Sequence, residues 1–209
     1  DTSNESGLSA EVSALPLAPT SVLISEVWGW ESTTTEWAEL YNPTDSPIDI
    51  KGWKVVTNTT TNTIPSTGTW TLPARSFYKV GDTASEGAAN DLDAVMTVTN
   101  TNSFIRLENA SSVVIDAVGW GTGGIGLPAG TTPYATSPAS GKRGLSRNPG
   151  SPNGNGTDTD DCNSDFTLLT SSSARNLSSA AEPATPAAPT APSPQLQNIA
   201  AEVYVPCQL

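Results

Sequence analysis

The sequence predicts an all-β sandwich with an extended, strand-like arm at each end, and three observations carry that reading. Apolar and polar residues alternate in short runs, such as Val22–Val27 and Glu36–Tyr41, which is the period of a half-buried strand. The runs are cut by Asn42-Pro43, Ser46-Pro47, Gly52, Pro73 and Gly81-Asp82, residues that end strands and make turns. Composition agrees. Charged residues are 14% and hydrophobic residues 36%, against roughly 25% and about 45–50% in an average domain. Ser, Thr, Asn, Gly and Pro fill the difference, the usage of Thr-rich strands joined by Gly and Pro turns.

Residues 22 to 57 form the densest apolar and aromatic stretch. Val22–Val27, Glu36–Tyr41 and the run through Ile48-Asp49-Ile50 and Lys54-Val55-Val56 read as three consecutive strands and the seed of the core. Residues 58–68 read as a loop or a Thr-rich hairpin. Short strands follow at Thr69–Leu72 and Ser76–Val80. Residues 82–93 are small and polar, a loop, and Ala94–Val98 is the next expected strand. Phe104–Glu108 and Val113–Val118 flank Asn109-Ala110-Ser111-Ser112 as a hairpin. Residues 121–141 read as a long Gly/Pro/Ser/Thr loop. Gly144–Arg147 and Asp165–Leu169 close the set.

The order of residues also resembles a known family. Ile24-Ser25-Glu26-Val27, then Glu36-Trp37, Glu39-Leu40-Tyr41-Asn42-Pro43, Ile48-Asp49-Ile50 and Gly52-Trp53 are similar to the opening of the lamin tail domain. Leu107, Asn109, Val114-Ile115-Asp116, Val118 and Trp120-Gly121 continue the pattern. Gly144–Arg147 and Asp165-Phe166 resemble its closing elements. The resemblance covers about residues 20 to 171 and implies an immunoglobulin-like β-sandwich of the secreted prokaryotic type. No heptad repeat is present, so the helical rod of nuclear lamins has no counterpart.

The expected organisation is an N-terminal extension at 1–19, the sandwich at 20–171, a Ser/Ala/Pro-rich linker at 172–194 and a C-terminal strand at 195–209. Pro183, Pro186, Pro189 and Pro192 are spaced by three and so share one edge of a polyproline II rod. In each arm, apolar residues alternate with polar or smaller ones. Leu8, Ala10 and Val12 mark the first, and Ile199, Ala201, Val203 and Val205 the second. These seven are the candidate subunit contacts. Either arm is a candidate donor strand for the sheet edge of a neighbour. The partner is then a second copy, joined head to tail, and such a contact propagates instead of closing. The alternative is a cell-surface binding or adhesion module recognising sugar or protein, with Trp28, Trp30 and Trp120 at strand ends as the candidate platform.

Several function classes are excluded. Histidine is absent, which removes Ser-His-Asp and Cys-His catalysis and the usual zinc sites. A net charge of −12 repels phosphate backbones, so no nucleic-acid partner is expected. No apolar run approaches the length of a membrane span. Gly121, Gly123 and Gly126 fit G-x-G-x-x-G, but Leu127-Pro128-Ala129-Gly130 does not open a helix well, so no nucleotide site is expected. Glu26, Glu36 and Glu39 read as solvent-facing strand carboxylates with a structural role. The expectation is a non-enzyme with no cofactor.

One exception to that last expectation is calcium. Asp158, Asp160 and Asp161 place oxygen ligands in a Gly/Asn turn, as hard-cation loops do, but no EF-hand is complete. Cys162 and Cys207 form a candidate disulfide, within one chain or between two. The start at Asp1 without Met fits a processed, secreted chain. Sequons at Asn4, Asn58, Asn109, Asn155 and Asn176 fit an extracellular, glycan-bearing surface.

Overall fold

In a computed structural model, the described residues are 21–29, 35–99, 101–121, 126–135, 143–148 and 155–183. Both arms lie outside them, so the seven candidate contacts from Leu8 to Val205 are not among the residues described.

Among the described residues, twelve strands and one helical turn occur in the order β1 (Leu23–Gly29), β2 (Trp37–Tyr41), β3 (Ile48–Asp49), β4 (Lys54–Thr57), β5 (Thr61–Thr63), β6 (Thr71–Leu72), β7 (Phe77–Gly81), β8 (Leu92–Asp93), β9 (Ser103–Glu108), β10 (Val114–Trp120), β11 (Arg143–Arg147), α1 (Cys162–Asp165) and β12 (Phe166–Leu169). A six-stranded sheet has the order β12-β11-β1-β2-β7-β8 and a four-stranded sheet the order β10-β9-β4-β5. The pair β3-β6 forms a small third sheet. Among the described residues the strand-to-strand pairings are antiparallel except β7 with β8.

The core lies between the two larger sheets. Ile24, Val27, Ala38, Leu40, Tyr78, Val80, Leu145 and Phe166 from one sheet meet Val55, Ile105, Leu107, Val118 and Trp120 from the other. Full burial of one such side chain is worth about 1.5–3 kcal/mol, which is why alternation fixes which face turns inward. Ile50, Trp53, Ile64 and Leu72 extend the same cluster beside the small sheet. Asn42 stops β2 and fastens the corner. Its Nδ2 donates to the carbonyls of Ser46, Leu72 and Pro73, and its Oδ1 accepts from Thr44.

Within the strands, the structure departs from regular alternation and from the expected elements at two points. The register slips between Ile24 and Glu26. This β-bulge turns Ser25 and Glu26 to the same side, whereas strict alternation would put Glu26 on the core face with Ile24. The expected strand at Ala94–Val98 is irregular chain instead. Its neighbour Leu92–Asp93 takes the edge of the six-stranded sheet, through the parallel pairs Val80–Leu92 and Gly81–Asp93.

Candidate functional site

The outer face of the six-stranded sheet is where the structure concentrates its unusual chemistry. On β2 and β7 the residues between the core positions are Trp37, Glu39, Tyr41, Phe77 and Lys79. Together with Leu23, Ser25, Glu26 and Trp28 of β1 they point away from the core cluster, and every one is buried. A sandwich face that normally meets water is therefore covered. Rings line it in two stacked pairs, Trp28–Trp37 with centroids 6.5 Å apart and Tyr41–Phe77 with centroids 4.9 Å apart.

Residues 170–183 form much of the cover. This strap crosses the sheet from β1 towards β8. Ser173 donates its N–H and its hydroxyl to the two carboxylate oxygens of Glu26, at 3.0 and 2.5 Å. Arg175 donates its backbone N–H and its guanidinium to Glu39, with Nη2 2.8 Å from Oε1. The same guanidinium lies 3.6 Å from the Phe77 ring centroid and pairs with Glu182 at 2.7 Å. Asn176 donates to the Ala89 carbonyl, and the Leu177 N–H donates to Asp91. Glu182 N–H donates to the Arg75 carbonyl. The loop after β7 completes the cover. Lys79 Nζ donates to Ser85 Oγ and to the carbonyls of Glu86 and Ala88, and lies 5.1 Å from the Trp37 ring centroid.

Residues 172–183, assigned to the linker by composition, are thus part of the packed body. Small Ser and Ala residues let the strap lie close to the sheet, and Arg175 anchors it. The three glutamates were expected to face solvent. Glu26 and Glu39 are 0% exposed and Glu36 is 2% exposed. Burial, reinforced by the Glu39 charge, pushes Glu26 up to about 7. Burial also raises Glu39, although Arg175 and Ser25 hold it down. Glu36 is pushed to about 7 by burial, with Asp82 adding to the rise while the Val98 N–H opposes it. Burial lowers Lys79 to about 8, against the attraction of Glu39, Asp91 and Glu26.

A second buried tie joins the two sheets. Arg147 of β11 donates Nη2 to Asp116 of β10 at 2.6 Å, Nε to the Ile24 carbonyl and Nη1 to the Thr157 carbonyl. Asp116 also accepts the Ile24 N–H at 2.6 Å. Each nitrogen of this guanidinium thereby has a partner in the fold, and the other oxygen of Asp116 accepts the Ala117 N–H.

The other expected sites are placed as follows. Asp161 caps α1, accepting from Asn163 N–H and Ser164 Oγ. Asp158 accepts from Arg147, and Asp160 is exposed, at φ 60°. The turn that composition suggested for calcium thus spends two of its three carboxylates on internal hydrogen bonds. Among the described residues no three His, Cys, Asp or Glu side chains are arranged to hold a metal ion. Cys162 is buried, its thiol pushed up to about 11 by that burial, and Cys207 lies outside the described residues.

Of the sequons, Asn58 is exposed, Asn109 and Asn176 are half-buried, and Asn4 lies outside the described residues. Asn155 is 0% exposed, which leaves no room for a glycan in the folded chain. The Trp platform is not assembled either. Trp28 is 1% and Trp120 0% exposed, and Trp30 lies outside the described residues.

Sequence reasoning missed the strap. One signal was present: Arg175 is the last cation in the chain, isolated among Ser and Ala. Comparison with known proteins agrees with the fold. The sequence profile described as Lamin Tail Domain matches residues 16–122. No curated protein matches the chain.

Proposed function

Because the chain belongs to the lamin tail domain family, whose immunoglobulin-like domain is a scaffold and not a catalyst, we propose that it is a non-catalytic structural subunit of an extracellular filament or surface layer. Copies join head to tail by strand addition from a terminal arm. The open edge of β12 carries this reading. Among the described residues β12 is paired only on its β11 side. Its four residues end in the half-buried Leu168 and Leu169. The other edges are less suited to a visitor. β8 has only two residues, β5 reads Thr-Asn-Thr, and the end of β10 already bonds the loop at Tyr134.

An incoming strand would satisfy the free N–H and C=O groups of β12 and bury alternate side chains beside its leucines. The arm at Ile199–Val205 has the required alternation. The absence of catalysis is supported by the ionic groups themselves. Arg147, Asp116, Arg175 and Glu39 are each matched by fixed partners, which suits structural ties better than reactive groups. The extracellular setting belongs to the same reading and leans on the sequons, of which Asn58 is exposed.

Deletion of residues 195–209 tests the proposal. Electron microscopy and sedimentation should show polymers for the full chain and folded monomers for the deletion. Polymers that persist after the deletion would sink the idea.

A further inference from the structure

The strap runs over β1, β2 and β7 and reaches the segment leading into β8, yet among the described residues it joins no ladder. Among the described residues, its one backbone-to-backbone hydrogen bond to the body is Glu182 N–H to Arg75 C=O. Its remaining hydrogen bonds to the body use a side chain on at least one side. We propose that this sheet face is an interface between copies of the chain: the strap of one copy, residues 170–183, seats on the face of a second copy in exchange for that copy's own strap. The inference deepens the self-association reading and rests on it only in requiring that copies meet.

Four observations carry it. The face cannot stay bare. With the strap removed, Glu39 loses Arg175, Glu26 loses Ser173, and Phe77 loses the guanidinium above it. An unpaired carboxylate among aromatic rings is costly, so the face needs an occupant of this sequence. A second copy supplies the same contacts, which makes exchange of an identical element a low-cost route to association.

The hinge suits exchange. Only Thr170, Ser171 and Ser172 separate the end of β12 from Ser173. Three residues reach at most about 10 Å, so a change of direction there sends the whole strap elsewhere, and short hinges favour swapping. Charge supplies the specificity. Two copies at −12 repel each other, and this face sets Arg175 of the strap against Glu39 of the sheet. Finally, the sequence continues from the strap into prolines spaced by three. Strap and terminal arm are thus linked in one chain, and two linked contacts bind far more tightly than either alone.

The test uses full-length chains carrying Cys162→Ala and Cys207→Ser, so that no native thiol remains, one with Ala89→Cys and the other with Asn176→Cys. Asn176 Nδ2 lies 2.8 Å from the Ala89 carbonyl, so the two positions are neighbours across the strap contact. The chains are mixed, unfolded together, refolded and oxidised. A chain bearing both cysteines, held as monomer, is the proximity control and should close its disulfide internally. Exchange predicts a band at twice the monomer mass on a non-reducing gel, linking the A89C copy to the N176C copy within the oligomer fraction. Oligomers that lack this link, with the control closing normally, overturn strap exchange and leave self-association standing. Monomers at every concentration overturn both.

Discussion

Arg175 and Glu39 form an ion pair at 2.8 Å across 136 positions of the chain, on a sheet face that a sandwich ordinarily leaves to water. Glu39 is 0% exposed. Replacing Arg175 by Ala leaves that carboxylate buried and unmatched. We expect a loss of about 3 kcal/mol in urea unfolding, the low end for breaking a buried pair because Arg175 keeps some contact with solvent. Replacing both residues by Met should recover most of the loss, since the desolvation cost disappears with the charges.

The boundary of the folded body follows from the same contacts. Truncation after residue 183 should leave the thermal midpoint unchanged. Truncation after residue 169 should lower it, because Ser173, Arg175 and Glu182 are removed from Glu26, Glu39 and Arg75. Differential scanning calorimetry of the two truncations checks this. Equal midpoints would show that the strap contributes nothing to stability.

The tie between the sheets is geometric as well as ionic. Arg147 places three separate nitrogens on Ile24 O, Thr157 O and Asp116. Lysine has one nitrogen and cannot span them. Arg147→Lys should therefore destabilise nearly as much as Arg147→Ala, by about 3–5 kcal/mol in chemical denaturation. A near-neutral lysine variant would mean that charge alone matters there.

Stability should rise as pH falls through the neutral range. Glu26 and Glu36 move from a usual value of 4.5 to about 7 in the folded chain. Between those values the folded state binds more protons than the unfolded state. Their contribution is complete below 4.5 and is lost as pH rises through about 7. Glu39, Asp82, Asp91 and Asp116 are raised as well, so they act in the same direction. Lys79, lowered from 10.5 to about 8, adds slope only above that value. The melting temperature should be higher at pH 5 than at pH 7.5, and Glu26→Gln with Glu36→Gln should flatten the profile.

Gly81 ends β7 directly opposite Trp37. A Cβ at Gly81 would collide with the Trp37 Cβ and stand 3.0 Å from the Glu36 carbonyl. Gly81→Ala should cost about 1–3 kcal/mol, as overpacking does. Thermal unfolding measures it.

The fold class, the family and most strands were legible in the sequence because each depends on local pattern. Alternation, Asn-Pro and Gly breaks, and the run from Ile24 to Trp53 act within a few residues of one another. What the sequence by itself determined was thus a sandwich, its core faces and its lack of histidine chemistry. The tertiary structure alone decided the rest. A one-residue bulge moved Glu26 off the core face, and nothing in the alternation marks a bulge. A Ser/Ala segment with the composition of a linker became a strap, because Arg175 found Glu39 on a strand far earlier in the chain. Burial and ion pairing depend on which distant segments meet, and that is set by topology, not by the residues on either side.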